Sequence, residues 1–368
     1  MLPTRDDLEA VIAGLSGVRQ NPDYHGEGDA LAHTRLVMEA LEGLPAFSAL
    51  NDEGRAMMRV AAALHDLGKK ACTRLEEGRW VSPHHSATGA AMVRELLMTR
   101  FGLGGTPEAM RLREFVCMLI RWHMRPTHVL ELPDPGRCVR QMAAMGELAT
   151  GFTLARLAML AEADHRGRLC ADQREQLDGI ALFDELAREE GCREHPFAYP
   201  DPCSRYADLS GRNILPGQQV YDSAWGTVVM LSGLPGTGKD TFRAAHFADL
   251  PMLSLDDLRR TMRLGPTDDQ GALIQQARED ARVLLRRREP FVFNATNLSA
   301  MIRGKWIQLF HQYGARVRIV YLETDWTERE RRNASRPDAV PEEAVSRMLR
   351  NFTPPALTEA EEVEWVSV

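Results

Sequence analysis

The sequence has no long apolar run, no paired cysteine motif and no excess of basic charge. A bilayer span needs about 20 consecutive apolar residues, and no stretch approaches that, so no membrane span is expected. Met1 to Leu15 carries Asp6, Asp7 and Glu9 and lacks the basic-then-apolar order of a signal peptide. The six cysteines, Cys72, Cys117, Cys138, Cys170, Cys192 and Cys203, form no C-x-x-C pair. They are expected to be reduced, mostly structural thiols of a cytoplasmic protein. Lys and Arg number 45 against 52 Asp and Glu, for a net charge of −7. That balance excludes a protein that coats nucleic acid through bulk charge, but not a local basic groove. No internal repeat and no low-complexity tract is present.

What is present is the composition of a soluble globular chain, 44% apolar and 26% charged. Its 368 residues suffice for two domains, each with a core. Residues 1–190 read as helical nearly throughout. Apolar spacing predicts helices over 29–44, 55–67, 86–100, 109–121, 139–146, 152–164 and 172–190, and so an all-α bundle. Residues 191–225 collect Pro196, Pro200, Pro202 and Pro216 with Gly211 and Gly217. They are expected to form a linker or irregular connection that packs on one domain through its aromatics. Over 226–368, strand and helix signals alternate, which predicts an α/β domain with a parallel sheet.

Polar residues interrupt the first-half helices at His33, His65-Asp66, His84-His85, His123 and Asp164. Adjacent helical residues point about 100° apart, so His65 and Asp66 grip one ion only if it lies in the angle between them. Imidazole with carboxylate suits a divalent transition metal, which lowers the pKa of a water molecule towards neutrality. Lys69, one turn past Asp66, either neutralises a phosphate or snorkels. Arg166 and Arg168 either meet a phosphate or face solvent. His84 is either part of the set or exposed beside His85. His123 is either a site residue or a helix-end histidine held by backbone.

The order of these residues resembles the HD phosphohydrolase superfamily: a histidine, a His-Asp doublet in A-L-H-D-L-G-K, H-x-x-x-G at 85–89, W-H-M-R-P at 122–126 and a distant aspartate. The resemblance covers roughly 20–170. It implies that His33, His65, Asp66 and Asp164 are metal ligands. It makes His85 and His123 second-metal ligands or phosphate contacts, with Mn2+, Zn2+, Ni2+ or Co2+ as the cofactor.

In the second half, the apolar run 227–231 leads into G-L-P-G-T-G-K-D-T, residues 233–241. Strand, glycine turn and lysine-bearing helix make a phosphate-cradling loop, built on Gly233, Gly236, Gly238 and Lys239. Where a Ser or Thr usually ligates magnesium, Asp240 stands, with Thr241 next, so the metal is expected to be held partly through water. The second strand ends in S-L-D-D-L-R. Asp256, with Asp257 as the alternative, is placed to take a proton from an attacking hydroxyl or else to cap the next helix. Arg259 lies on the same face. The third strand ends at Asn294, where many P-loop kinases have aspartate. Thr296 and Asn297 either contact the acceptor or form a turn. In 329–336, R-E-R-R-N-A-S-R, Arg332 and Arg336 suit a lid over the phosphates or simply face water.

These pieces, in this order, resemble the 5′-hydroxyl polynucleotide kinase family. The resemblance implies that Asp256 is the general base and that Arg259 binds the acceptor phosphate. It also implies that Lys239 and Thr241 serve ATP or another NTP with Mg2+, and that Arg332 or Arg336 closes the lid. An HD domain followed by such a kinase resembles the bacterial HD-Pnk RNA end-healing family. That implies nucleic acid ends as substrates, RNA in preference to DNA, an RNA ligase acting next, no membrane, and room for a homodimer. The other reading is an HD nucleotidase fused to a small-metabolite kinase.

Overall fold

Side-chain caps start the helices. Thr4, Asp29, Asn51 and Thr153 each accept a backbone N–H from the first turn of the helix that follows. The computed structural model describes residues 2–149, 151–265, 268–336 and 338–368; Met1, at the head of the N-terminal stretch read for a signal sequence, lies outside them. The chain divides into two compact units, Met1–Gly104 with Glu108–Phe197, and Gly105–Pro107 with Ala198–Val368.

The first unit is helical. Ala30–Glu42 packs on Asp52–Leu64 and on Leu154–Arg166, and Gln173–Glu189 covers the last of these. Val37, Leu41, Val60, Leu64, Leu157 and Leu160 fill the space between them. Ala61, Ala63, Ala161 and Ala163, all fully buried, let the helices approach closely. His85–Thr99 and Pro107–Trp122 are tied by Glu114, fully buried, which accepts from both Arg94 and Arg113. Burial pushes the Glu114 carboxyl up, but the two guanidinium groups outweigh it and hold it below the usual range. A small antiparallel hairpin, β1 (Arg74–Glu76) and β2 (Arg79–Val81), interrupts the helices. It turns through Glu77 and Gly78, both at positive φ. Its signal is two short runs around Glu-Gly, too brief to stand out in a helical half.

The His-Asp doublet is not inside a helix. The second long helix ends at Leu64, and residues 65–68 form a turn. A Cβ on Gly68 would collide with the His85 carbonyl oxygen and lie 2.6 Å from Gly89 N. Two glycines therefore let this turn press against the start of His85–Thr99, which brings His85 to Asp66.

The second unit holds a parallel five-stranded sheet in the order β4-β5-β3-β6-β7. The strands are β3 (Thr227–Ser232), β4 (Met252–Ser254), β5 (Val292–Asn294), β6 (Arg316–Glu323) and β7 (Glu362–Ser367). β3 pairs with β5 on one side and β6 on the other, and its residues 228–232 are buried, as a central parallel strand requires. The segment expected to be irregular contains a helix, Pro202–Leu209, begun by Asp201 with proline in its first turn. Arg205 fixes that helix on the second unit by donating to Leu357 O and Glu361 O. Pro341 precedes the helix Glu342–Arg350 as its cap residue rather than opening it. Among the described residues no helix is long and apolar enough to cross a membrane.

Candidate active sites

Six predicted residues of the first unit converge. His33 Nε2 lies 3.0 Å from Asp164 Oδ1 and 3.6 Å from Asp66 Oδ2. His65 Nε2 lies 3.3 Å from Asp66 Oδ2 and 3.8 Å from Asp164 Oδ1. On the other side of Asp66, Oδ1 is 3.4 Å from His85 Nε2, which is 3.4 Å from His123 Nε2. Two clusters thus share Asp66: His33, His65 and Asp66, and Asp66, His85 and His123.

The four imidazoles are oriented alike. His65, His85 and His123 each place Nδ1 against the carbonyl three residues back, Ala62 O, Ser82 O and Ile120 O, at 2.8, 2.9 and 2.7 Å. His33 places Nδ1 2.9 Å from Glu27 Oε1. A proton on Nδ1 satisfies each acceptor and leaves the Nε2 lone pair facing inward. His65 Nε2 and both Asp66 oxygens are buried without a hydrogen bond among the described residues, although Lys69 Nζ sits 2.7 Å from Asp66 Oδ2. Orphaned acceptors in this number are what a cation would satisfy, so the donor set fits a divalent metal.

Charge is balanced by cations at the rim. Burial would raise the Asp66 carboxyl, but Lys69 and His65 hold it well below the usual range. Asp164 is likewise held low, against its burial, by Arg168 and His33. Burial drives His123 down to about 3. For His33, burial pulls down and is outweighed by Asp164 and Glu27, so it is raised. Arg168 donates to both Asp164 oxygens, at 3.2 and 2.5 Å. Arg166 is exposed and paired with Glu162. His84 is exposed in a left-handed conformation beside His85.

Three neighbours of this cluster match no motif position. Glu27 Oε1 meets the Nδ1 atoms of both His25 and His33. His25 Nε2 lies 3.5 Å from Lys69 Nζ, which also donates to Gln20 Oε1 at 2.6 Å. The ammonium group thus sits among Asp66, Gln20 and His25. Their only sequence signal is a polar stretch, Gln20 to Asp29, just ahead of the helix that carries His33.

In the second unit the loop after β3 is shaped by contacts a side chain would block. At Gly236, φ is 88° and a Cβ would lie 2.6 Å from Arg329 O. A Cβ on Gly238, whose φ is 78°, would lie 3.3 Å from Arg332 Nη1, so the helix Trp326–Ala334 rests on the loop. Gly233 N donates to Thr296 O. Lys239 begins the helix Lys239–His246, and its Nζ donates to Gly233 O and Leu234 O at 2.9 and 3.0 Å. Burial lowers its pKa to about 8. Arg336 acts on Lys239 electrostatically, and Arg332 donates to Glu328.

Asp256 lies in the first turn of Leu255–Thr261, but Ser254 caps that helix. The capping alternative for Asp256 therefore falls away. Arg259 donates to Asp256 Oδ1 at 2.5 Å and to Gln270 at 3.1 Å, and Asp257 is paired with Arg260. Asn297 is buried, with φ 45°, and its amide donates to Leu231 O at 2.7 Å. That bond ties the side chain to the central strand. Asp240 and Thr241 are both exposed, and Asp240 Oδ1 accepts from Asn294 Nδ2 at 2.7 Å.

Residues 228–355 match the AAA domain family. The second unit is a P-loop kinase-like domain, which implies a nucleoside triphosphate with Mg2+. The chain is also similar to a multifunctional CCA protein of Halorhodospira halophila (strain DSM 244 / SL1), 31% identical over 159 residues, 43% of this chain and 34% of that protein. A multifunctional CCA protein of Xanthomonas axonopodis pv. citri (strain 306) is 28% identical over 172 residues, 46% of this chain and 38% of that protein. The chain thus covers little more than a third of each relative's length.

Proposed function

We propose that this chain heals broken RNA ends from both sides. The first unit is an HD-type phosphohydrolase acting on 2′,3′-cyclic or terminal phosphates, and the P-loop domain transfers the NTP γ-phosphate to a 5′-hydroxyl. One observation carries the reading: His33, His65, Asp66, His85, His123 and Asp164 converge on one buried site in the same chain as a P-loop sheet whose edge strand β4 leads into a helix with an Asp256–Arg259 pair. That the relatives are named multifunctional agrees with a chain that holds more than one site.

At the first site, His33, His65, Asp66 and Asp164 would hold one divalent metal, and Asp66, His85 and His123 a second. Such metals supply Lewis acidity, which lowers the pKa of water and neutralises phosphate charge. Backbone carbonyls and Glu27 hold Nδ1 of each imidazole and so turn Nε2 towards the metal position. Lys69 and Arg168 border the carboxylates, where they offset phosphate charge as the P–O bond opens. At the second site, Lys239 and the loop amides hold the β- and γ-phosphates, and Arg332 and Arg336 stabilise charge on the transferring group. Asp256 accepts the proton of the attacking hydroxyl, and Arg259 orients that carboxylate while facing the acceptor phosphate.

The test is separation of activities on a 5′-OH RNA. Asp256→Ala abolishes transfer of γ-phosphate and leaves 3′-end hydrolysis; His65→Ala or Asp66→Ala does the reverse. Loss of both activities from each variant, with the fold intact, would sink the two-site reading.

A further inference from the structure

The P-loop domain departs from the usual arrangement at two positions, and the structure puts the two in contact. Asp240 stands where a hydroxyl residue normally ligates magnesium, and Asn294 ends β5 where a carboxylate normally helps to hold it. Asn294 Nδ2 donates to Asp240 Oδ1 at 2.7 Å. An ionised carboxylate only accepts, so this bond fixes which way the amide faces. The amide oxygen is left over: Asn294 is 6% exposed, and its Oδ1 is buried with no hydrogen bond among the described residues. The two amide atoms share one carbon, so this orphaned acceptor lies two bonds from the nitrogen that meets the Asp240 carboxylate.

We propose that Asp240 and Asn294 together form the cation site for the nucleotide, with the carboxylate moved from the strand end to the loop. Asp240 supplies the anionic ligand, and Asn294 Oδ1 accepts a hydrogen bond from the cation's hydration shell. The proposal rests on the reading of this domain as an NTP-binding one. The pair keeps the charge of the usual arrangement, since a hydroxyl and a carboxylate are replaced by a carboxylate and an amide. The carboxylate also needs the cation for its own sake. Asp240 follows Lys239 directly at the start of the helix that receives the phosphates. A carboxylate there repels a triphosphate unless a positive ion lies between them.

The test uses the full chain and the non-hydrolysable probe AMP-PNP, with Mn2+ titrated and read by EPR with and without nucleotide. Only the nucleotide-dependent increment is counted, so metal held by the first unit cancels. For Asp240→Asn, nucleotide-dependent Mn2+ affinity falls about tenfold or more, while AMP-PNP binding in EDTA becomes tighter because a repelling charge is gone. General damage to the fold would weaken both. Asp240→Ser alone loses the Mn2+ increment, and combining it with Asn294→Asp restores it. An unchanged Mn2+ increment in Asp240→Asn, or a double variant no better than Asp240→Ser, overturns the proposal. Failure of the wild-type chain to bind AMP-PNP at all, with or without Mn2+, would instead remove the nucleotide reading beneath it.

Discussion

Lys239 donates to two loop carbonyls, and burial lowers its pKa to about 8. A phosphate favours the charged amine, so nucleotide binding between about pH 8 and 9 should take up a proton. Calorimetric titration with AMP-PNP in buffers of different ionisation enthalpy measures that uptake; a heat that does not depend on the buffer would contradict it. The histidines of the first unit carry a second pH effect. Burial holds His25, His123 and His165 at about 4, 3 and 4, below the ordinary 6.5. A depressed folded pKa means that stability is intact above the unfolded value and is lost as pH falls towards the folded one. His33, raised, runs the opposite way and loses its contribution as pH rises. His85 is held low as well, so four depressed groups stand against one, and in EDTA the melting temperature of the first unit should fall from pH 7 to pH 5. A flat profile would show that these imidazoles are not buried neutral. Glu27→Gln keeps the shape of the side chain but removes the charge that orients His33. Metal affinity, read by competition with a chelator, should fall by about tenfold, and an unchanged affinity would assign Glu27 a purely structural place.

At the scale of elements, the ties between segments decide stability. Glu114 accepts from Arg94 and Arg113 with all three side chains buried. Glu114→Ala removes the carboxylate that both buried guanidinium groups share and should cost about 3–5 kcal/mol in urea unfolding of the first unit. A loss near zero would mean that the helices repack around the arginines. Much of this level was legible beforehand. The helix Ala30–Glu42 falls inside the span that its apolar spacing predicts, and β3 with its glycine loop and following helix stands where the motif puts it. What the spacing missed has physical causes. His65 and Asp66 leave the helix because Gly68 presses their turn against Gly89, a tertiary contact with no local signature. Gln20, His25 and Glu27 precede the helix Ala30–Glu42, where periodicity carries no information. Pro202–Leu209 hid among prolines, although Asp201-Pro202 is a start signal. Asn294 read only as a missing charge, because its bond to Asp240 is a tertiary contact with no local signature.

At the scale of the whole molecule, the account assigns the first unit to the phosphate-bearing 3′ end of RNA and the P-loop domain to the 5′-hydroxyl end. The measurement that tests this most directly is a time course on an RNA with a 5′-hydroxyl and a 2′,3′-cyclic phosphate, following both ends with and without EDTA and Mn2+. Wild-type protein with ATP should convert both ends, and EDTA should stop both. Asp256→Ala should process only the 3′ end and Asp66→Ala only the 5′ end. A wild-type chain that leaves both RNA ends untouched while turning over mononucleotides or small metabolites would contradict the account and favour the nucleotidase–metabolite kinase reading.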